Sequence, residues 1–377
     1  GTVGFVAILQ QNVRPDGDDD APPTTNWISR YTPGLSDEPP FNITPWCLEG
    51  GASSTGGVIG SCFQPSEETC TTRPKRRAIV VAYDFNQRLD LYKIHWRRSA
   101  QKRIPGTFSL KDNTMYDYLS NKARAARNHD ADFVFMLPVQ PLRRYNISKH
   151  EKWVLEYYFR AKLREVPWMV PPVLRKDFPI ETRGCCGARE FMKLHAFALT
   201  EYDSVLLYDT DMLVSNEPHW PEGPLTPMFD CAASGYFVHT AAPYHVPWVN
   251  GGFFGVRPSK TLFEAMLKDL SKAKVDKPHG WNRKYWGHLN DGEHMWQFRM
   301  QGFLFHFFYQ GGMPTSMWQD VVPVQVNPCI WNLQMGLLDI VNPRRCYREE
   351  DYDICKRWTR VFHHSLCPRY RTGVIDG

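Results

Sequence analysis

Phe191-Met-Lys-Leu-His-Ala-Phe-Ala-Leu-Thr-Glu-Tyr-Asp-Ser-Val-Leu-Leu-Tyr-Asp-Thr-Asp-Met-Leu-Val214 sets two carboxylates, Asp209 and Asp211, at the end of an apolar strand that follows an amphipathic helix. The helix reads from Arg189 to Thr200, with Phe191, Leu194 and Ala198 on one face, and the strand from Ser204 to Tyr208. An α/β protein concentrates its chemistry at such strand ends. If the chain stays extended, residues i and i+2 point the same way, so Asp209 and Asp211 can grip one hard divalent cation while Thr210 faces the other side. A metal held there offers a seat for a pyrophosphate. The plainer alternative is an Asp-rich turn after a buried strand, capping the loop without chemistry.

Outward from this stretch, strands and helices alternate. Ala78-Ile-Val-Val-Ala-Tyr83 has the texture of a buried strand, and Ala131-Asp-Phe-Val-Phe-Met-Leu137 follows a polar, Arg-rich helix near Met115 to His129. Trp153 to Glu165 reads as another helix, and Pro167 to Val173 as a short strand broken by its prolines. Downstream, Trp248 to Ser259 has a strand–turn texture and Lys260 to Ala273 reads as a helix. This order predicts an α/β sheet covered on both faces. No internal repeat is found, and beyond Pro314 the pattern becomes irregular, as for a tail wrapping back over the site. Residues 10 to 72, rich in Pro, Gly, Ser, Thr and Asp, read as a stem or linker.

A chain of 377 residues can bury a full core in one large domain or two modest ones. The formal charge of +5 is small for this size and the basic residues are scattered apart from Arg73-Pro-Lys-Arg-Arg77, so nucleic acid is not an expected partner. That cluster is either a solvated guard before the first strand or a dibasic processing site. The 10 cysteines, with the sequons Asn42-Ile-Thr44 and Asn146-Ile-Ser148, favour an oxidising, secretory compartment. Cys47, Cys62 and Cys70 precede the basic cluster and the other seven follow it, so full pairing requires an odd number of bridges across that boundary. Cys346 and Cys355 flank a short acidic loop suited to a local bridge, whereas the adjacent Cys185 and Cys186 are expected to have separate partners. The chain opens on Gly, which leads us to expect a fragment or processed form. Its apolar start, Val3 to Leu9, reads either as the lumenal end of a truncated signal anchor or as a short strand.

The stretch from Lys193 to Val214 resembles the helix–strand–Asp-x-Asp segment of glycosyltransferase family 8, the glycogenin-like enzymes. The resemblance covers most of residues 78 to 370 and is strongest between 189 and 259. It implies an α/β fold of GT-A type: a single Rossmann-like mixed sheet flanked by helices, with an irregular N-terminal stem at 1–72 and the catalytic domain at 73–377. The implied reaction moves a sugar from a UDP-sugar to an acceptor hydroxyl on a glycan, protein or other molecule, with retention at the anomeric carbon and with Mn2+ or another divalent cation. In the family no obvious enzymic nucleophile sits beneath the sugar. The setting this implies is the secretory lumen, as the Golgi fragment of a type II membrane protein, with a membrane anchor absent from this chain.

Residue by residue, the resemblance gives Lys193 to the sugar nucleotide, Asp209 and Asp211 to the metal, and Thr210 to the donor-binding segment. Asn250-Gly251-Gly252 resembles the family's Asn-Ser-Gly-Val segment, where Asn helps position the donor sugar; on its own it reads as a tight hairpin. Asn290-Asp-Gly-Glu-His-Met-Trp296 resembles the family's Asp-Gly-Gly-Asp-Gln run, with one Gly missing and Glu-His in place of Asp-Gln. Asp291 and Glu293 are thereby candidates for acceptor orientation and transition-state electrostatics, or for a helix N-terminus. The aromatic and His residues of His279 to Trp296 offer either an acceptor platform or core packing. The C-terminal Val361-Phe-His-His-Ser-Leu-Cys-Pro-Arg-Tyr370 resembles the family's His-x-x-Gly-x-x-Lys-Pro-Trp, whose His completes the metal site. Starting at His363 sets Arg369 on the Lys position and keeps a cation for the phosphates, whereas starting at His364 sets Tyr370 there. Electrostatics favours His363 with Arg369.

Two rival functions compete with this reading. A phosphatase of the haloacid dehalogenase type also uses Asp-x-Asp after an apolar strand, but its motif opens the domain and carries Thr or Val where this chain has Leu213. The other is a catalytically silent carbohydrate-binding protein on a glycosyltransferase fold.

Overall fold

The computed structural model describes residues 67–83, 115–139, 147–167, 169, 188–215, 223–242, 245–272, 275–276, 280–281, 300–309, 311–326, 331–334 and 361–363. Its centre is one seven-stranded sheet. In chain order the strands are β1 (Arg77–Ala82), β2 (Ala131–Pro138), β3 (Ala161–Val166), β4 (Ser204–Tyr208), β6 (Tyr236–Ala242), β7 (His245–Val256) and β10 (Val322–Val326). Across the sheet they run β10-β6-β7-β4-β1-β2-β3. All are mutually parallel except β7, which lies antiparallel to β4 on one side and β6 on the other. The expected single mixed α/β sheet is the observed architecture.

Its central strands β1, β2 and β4 are apolar at almost every position because both faces are covered. Ala78, Val80, Val134, Met136, Val205 and Leu207 point into one core. It is roofed by a 3-10 helix (Ala188–Ala198), by α4 (Lys260–Lys272) and by the Phe-rich α5 (Met300–Tyr309). The alternate residues Ile79, Val81, Phe133, Phe135, Leu206 and Tyr208 point into a second core, under α1 (Met115–Asn128) and α3 (Thr226–Ala233). A smaller sheet joins β5 (Met212–Val214) to β12 (Val361–His363) and β11 (Leu333–Gln334), and β8 (Val275–Asp276) pairs with β9 (Gly280–Trp281). Among the described residues no helix is long and apolar enough to cross a membrane.

Several sequence expectations require correction. The helix expected over Trp153 to Glu165 is instead α2 (Lys149–Trp153), a π-helical turn (Val154–Tyr158), and then strand β3. Arg160, at φ 55, breaks the helix, and pairing with β2 overrides the helical composition of Ala-Lys-Leu-Arg-Glu-Val. Of the strand expected over Pro167 to Val173, only residues 167 and 169 are described, and neither lies in a strand; the rest fall outside the described residues. The 189–200 helix is a 3-10 helix buried on nearly every side. Residues 248–259 keep their strand–turn character, β7 running to Val256 before irregular chain at 257–259, and the alternative of a hairpin at Asn250–Gly252 is not what the structure shows. The chain beyond Pro314 is not all irregular: Val322-Pro-Val-Gln-Val forms an outer strand, a position that tolerates Pro323 because it leaves an N–H unused. Gly235 turns α3 into β6 at φ +94, and an added Cβ would lie 2.9 Å from the Asp320 carbonyl.

β6 also carries a buried histidine. His239 Nδ1 donates to the Thr240 carbonyl at 3.2 Å, and Nε2 accepts from the Tyr309 hydroxyl at 2.5 Å, which fixes the neutral ring. Burial lowers its pKa from 6.5 to about 4. Between those values the unfolded chain binds the extra proton and the folded one does not. Stability should therefore fall by about 3 kcal/mol as pH drops from 6.5 to 4. His239→Gln, which retains an acceptor for Tyr309, should remove that slope in denaturant titrations; a slope equal to that of the unaltered protein would refute the assignment.

The basic cluster is built into the structure. Arg73 pairs with Glu67 at 2.9 Å and with the buried Asp230. Asp203 Oδ2 accepts the N–H groups of Lys75 at 3.0 Å and Arg76 at 2.9 Å, and Arg76's backbone bond is the chief reason its carboxyl is held below the usual carboxylate range. Arg77 opens β1 between Ala131 and Ser204. Arg73, Lys75 and Arg76 are exposed, but a protease cutting beside Arg76 would have to pull Arg77 out of β1, between β2 and β4. Cys70 is joined to Cys231 in α3, so a bridge does cross the cluster, as full pairing of the cysteines would require. Cys185, Cys186, Cys346 and Cys355, and the sequon residues Asn42 and Asn146, lie outside the described residues. The native chain should resist dibasic-specific proteases. If it is cut there after partial denaturation, the N-terminal piece should leave only under reducing conditions; free separation on a non-reducing gel would contradict the bridge.

Candidate active site

β4 ends at Tyr208, and the next four residues close a turn in which the Met212 N–H donates to the Asp209 carbonyl at 3.2 Å. Asp209-Thr210-Asp211 is thus a hydrogen-bonded turn rather than extended chain, and its carboxylates are arranged by the turn instead of strand alternation. The turn is anchored to β7, where the Asp209 N–H donates to the Gly252 carbonyl at 2.7 Å. Because β7 runs against β4, Asn250, Gly251 and Gly252 lie alongside this carboxyl end of the sheet. Asn250 is buried, and its Oδ1 accepts from the Gly252 N–H at 2.7 Å, shaping its own strand. A Cβ on Gly251 would come 2.4 Å from Met300 Cε, so α5 packs directly over this glycine.

Lys193 reaches the turn from the 3-10 helix. Its buried Nζ lies 2.5 Å from Asp209 Oδ1, donates to the Gly251 carbonyl at 3.2 Å, and lies 3.5 Å from Glu190 one turn earlier on the helix. Lys193, Asp209 and Gly251, three of the residues singled out in the sequence, therefore converge. On the opposite face of the sheet, the fully buried Lys122 of α1 donates to the carbonyls of Thr210 at 2.9 Å and Met212 at 2.6 Å. Burial lowers its pKa to about 7, against the opposing pull of Asp211 and then Asp209. Its neighbour Asn121 clamps Val214 with both amide atoms, Nδ2 to the carbonyl at 2.9 Å and Oδ1 from the N–H at 2.7 Å. β5 then pairs antiparallel with β12, so the backbone of His363 lies opposite Met212, one residue past Asp211.

Glu190, Asn121 and Lys122 were not singled out in the sequence. The signal available for Lys122 was its spacing from Tyr118, Leu119, Ala125 and Ala126, which sets a lysine in the buried stripe of its helix. Asp291, Glu293, Arg369, His364 and the Tyr285–Trp296 aromatic run lie outside the described residues.

The donor set suits a hard divalent cation: two carboxylates on one turn, with the Asp209 side chain 24% exposed. Among the described residues, no group of three or more His, Cys, Asp or Glu forms a metal centre. Asp209 and Asp211 could therefore hold such a cation only as part of a larger ligand set.

The chain matches no protein-family model and no curated protein. Among solved structures it is similar to an active-site mutant of LgtC, at 14% identity and TM-score 0.42 over 76% of this chain and 87% of that one. It is also similar to the glycosyltransferase GlyE of Streptococcus pneumoniae, at 14% identity and TM-score 0.39 over 76% of this chain and 54% of that one. A third is mouse xyloside xylosyltransferase 1, at 9% identity and TM-score 0.38 over 77% of this chain and 98% of that one.

Proposed function

We propose that the chain is a retaining glycosyltransferase of the GT-A, glycogenin-like kind. It would use a UDP-sugar and Mn2+ to glycosylate a hydroxyl acceptor in the secretory lumen, with residues 1–72 as a stem before a catalytic domain at 73–377. The observation that carries this reading is the meeting of three elements at the carboxyl end of β4: the Asp209–Met212 turn, Lys193 beside Asp209, and β12 with His363 in register against Met212. The carboxyl end of an open α/β sheet is where ligands of this kind bind.

In this reading Asp209, Asp211 and His363 would hold the cation. When bound, the metal neutralises charge building on the departing diphosphate. Lys193 orients Asp209, and its position between Asp209 and the Gly251 carbonyl would set an ammonium beside the donor. Asn250 and Gly252 fix the strand against which a sugar would lie, with Thr210 in the same donor-facing segment. Arg369 would meet the pyrophosphate, and Asp291 and Glu293 would orient the acceptor hydroxyl.

The test is a panel of UDP-sugars with and without Mn2+, following UDP release and then the anomer formed on a simple acceptor. Mn2+-dependent turnover of one donor with retention is the expected result. Phosphate release from phosphomonoesters would favour the phosphatase, and sugar binding without turnover the silent binding protein.

A further inference from the structure

We propose that Lys122 is a positioning residue for the aspartate turn: its ammonium holds the carbonyls on either side of Asp211 and so presets that carboxylate for a divalent cation. The inference rests on the donor-site reading above.

Lys122 occupies a core position of α1, with no exposed surface, and its Nζ lies 5.6 Å from the centre of the Tyr118 ring. An apolar side chain of similar length would fill the same space without desolvating a charge. What the charge adds is direction. Two of the three ammonium donors are taken by the carbonyls of Thr210 and Met212, one residue before and one after Asp211. The first bond holds the peptide leading into Asp211 and the second the peptide leaving Met212, while the Met212 N–H bond to the Asp209 carbonyl holds the peptide between them; together they set the backbone of Asp211 and hence the direction in which its carboxylate leaves the chain. Asn121 extends the grip by two residues through Val214, and β5 transmits it to the strand that carries His363. Burial disfavours the charge on Lys122, and the charged groups facing it from the turn, Asp211 and then Asp209, pull the other way. The helix thus grips the turn from the face opposite Lys193, which reaches it from the 3-10 helix.

The test titrates Mn2+ into the full chain with saturating UDP, read by electron paramagnetic resonance, beside thermal unfolding without metal. The unaltered protein comes first: absence of Mn2+ binding there would overturn the donor-site reading, and this inference with it. Lys122→Met should weaken Mn2+ binding by about tenfold or more, as loss of a residue supporting metal ligands does. Its metal-free unfolding midpoint should stay within about 3 °C of the original or rise, because an apolar replacement removes a buried charge. A merely structural lysine would give the reverse split, a lowered midpoint with Mn2+ affinity retained, and that result would sink the proposal. Lys122→Gln, which retains a donor without the charge, is read on the same two measurements in case the Met variant does not fold. Failure of both variants to fold would make Lys122 structural and would equally overturn the inference.

Discussion

Asp209→Asn and Asp211→Asn are each expected to reduce Mn2+-dependent sugar transfer by on the order of a thousandfold while leaving the chain folded. Asparagine matches the shape of aspartate and keeps an acceptor oxygen, so the changes remove charge without opening a cavity. At Asp209 the backbone bond to Gly252 is untouched, and Lys193 retains the Gly251 carbonyl and Glu190. What disappears is a negative charge at the end of β4. The check is UDP release at saturating Mn2+, alongside far- and near-UV circular dichroism. Turnover close to that of the unaltered protein in either variant would remove that residue from the metal site.

The second large effect is expected at the C-terminal histidines. His363→Ala should weaken Mn2+-dependent UDP binding by about tenfold or more, and His364→Ala by about twofold or less. The pairing of Val361 with Val214, Phe362 with Leu213 and His363 with Met212 supports this order, because it brings the first histidine to the residue next to Asp211. Electrostatics favours the same register, in which Arg369 supplies the cation for the phosphates. Isothermal titration of UDP with and without Mn2+ separates the two variants. The opposite ranking, or equal small effects, would shift the motif by one residue.

The central sheet was legible where strands are buried on both faces, because Arg77–Ala82, Ala131–Pro138 and Ser204–Tyr208 are apolar at almost every position. Legibility failed at the margins. β3 carries Lys162, Arg164 and Glu165 on an outer strand, so its composition is that of a helix, and the break at Arg160 uses a residue that rarely adopts positive φ. β10 contains a proline, which ordinarily argues against a strand. At the candidate site, Lys193 and Asp209, picked out together by motif and position, do lie side by side. The turn geometry could not, since nothing local distinguishes Asp-Thr-Asp in a turn from Asp-Thr-Asp in a strand. Lys122 acts from 88 residues away, through backbone carbonyls that have no signature in a side-chain pattern.

The Cys70–Cys231 bridge spans 161 residues, a stretch that includes α1 and strands β1 to β5. A loop of that length removes chain entropy from the unfolded state worth about 5 kcal/mol in the simplest model. Both cysteines are buried, with 1% and 0% of their surface exposed, in the same core as Phe229 and Val81. A thiol reductant cannot approach the sulfurs until that core opens. Reduction therefore has to pass through an opened fold, and the bond that restrains unfolding is itself shielded by the folded state.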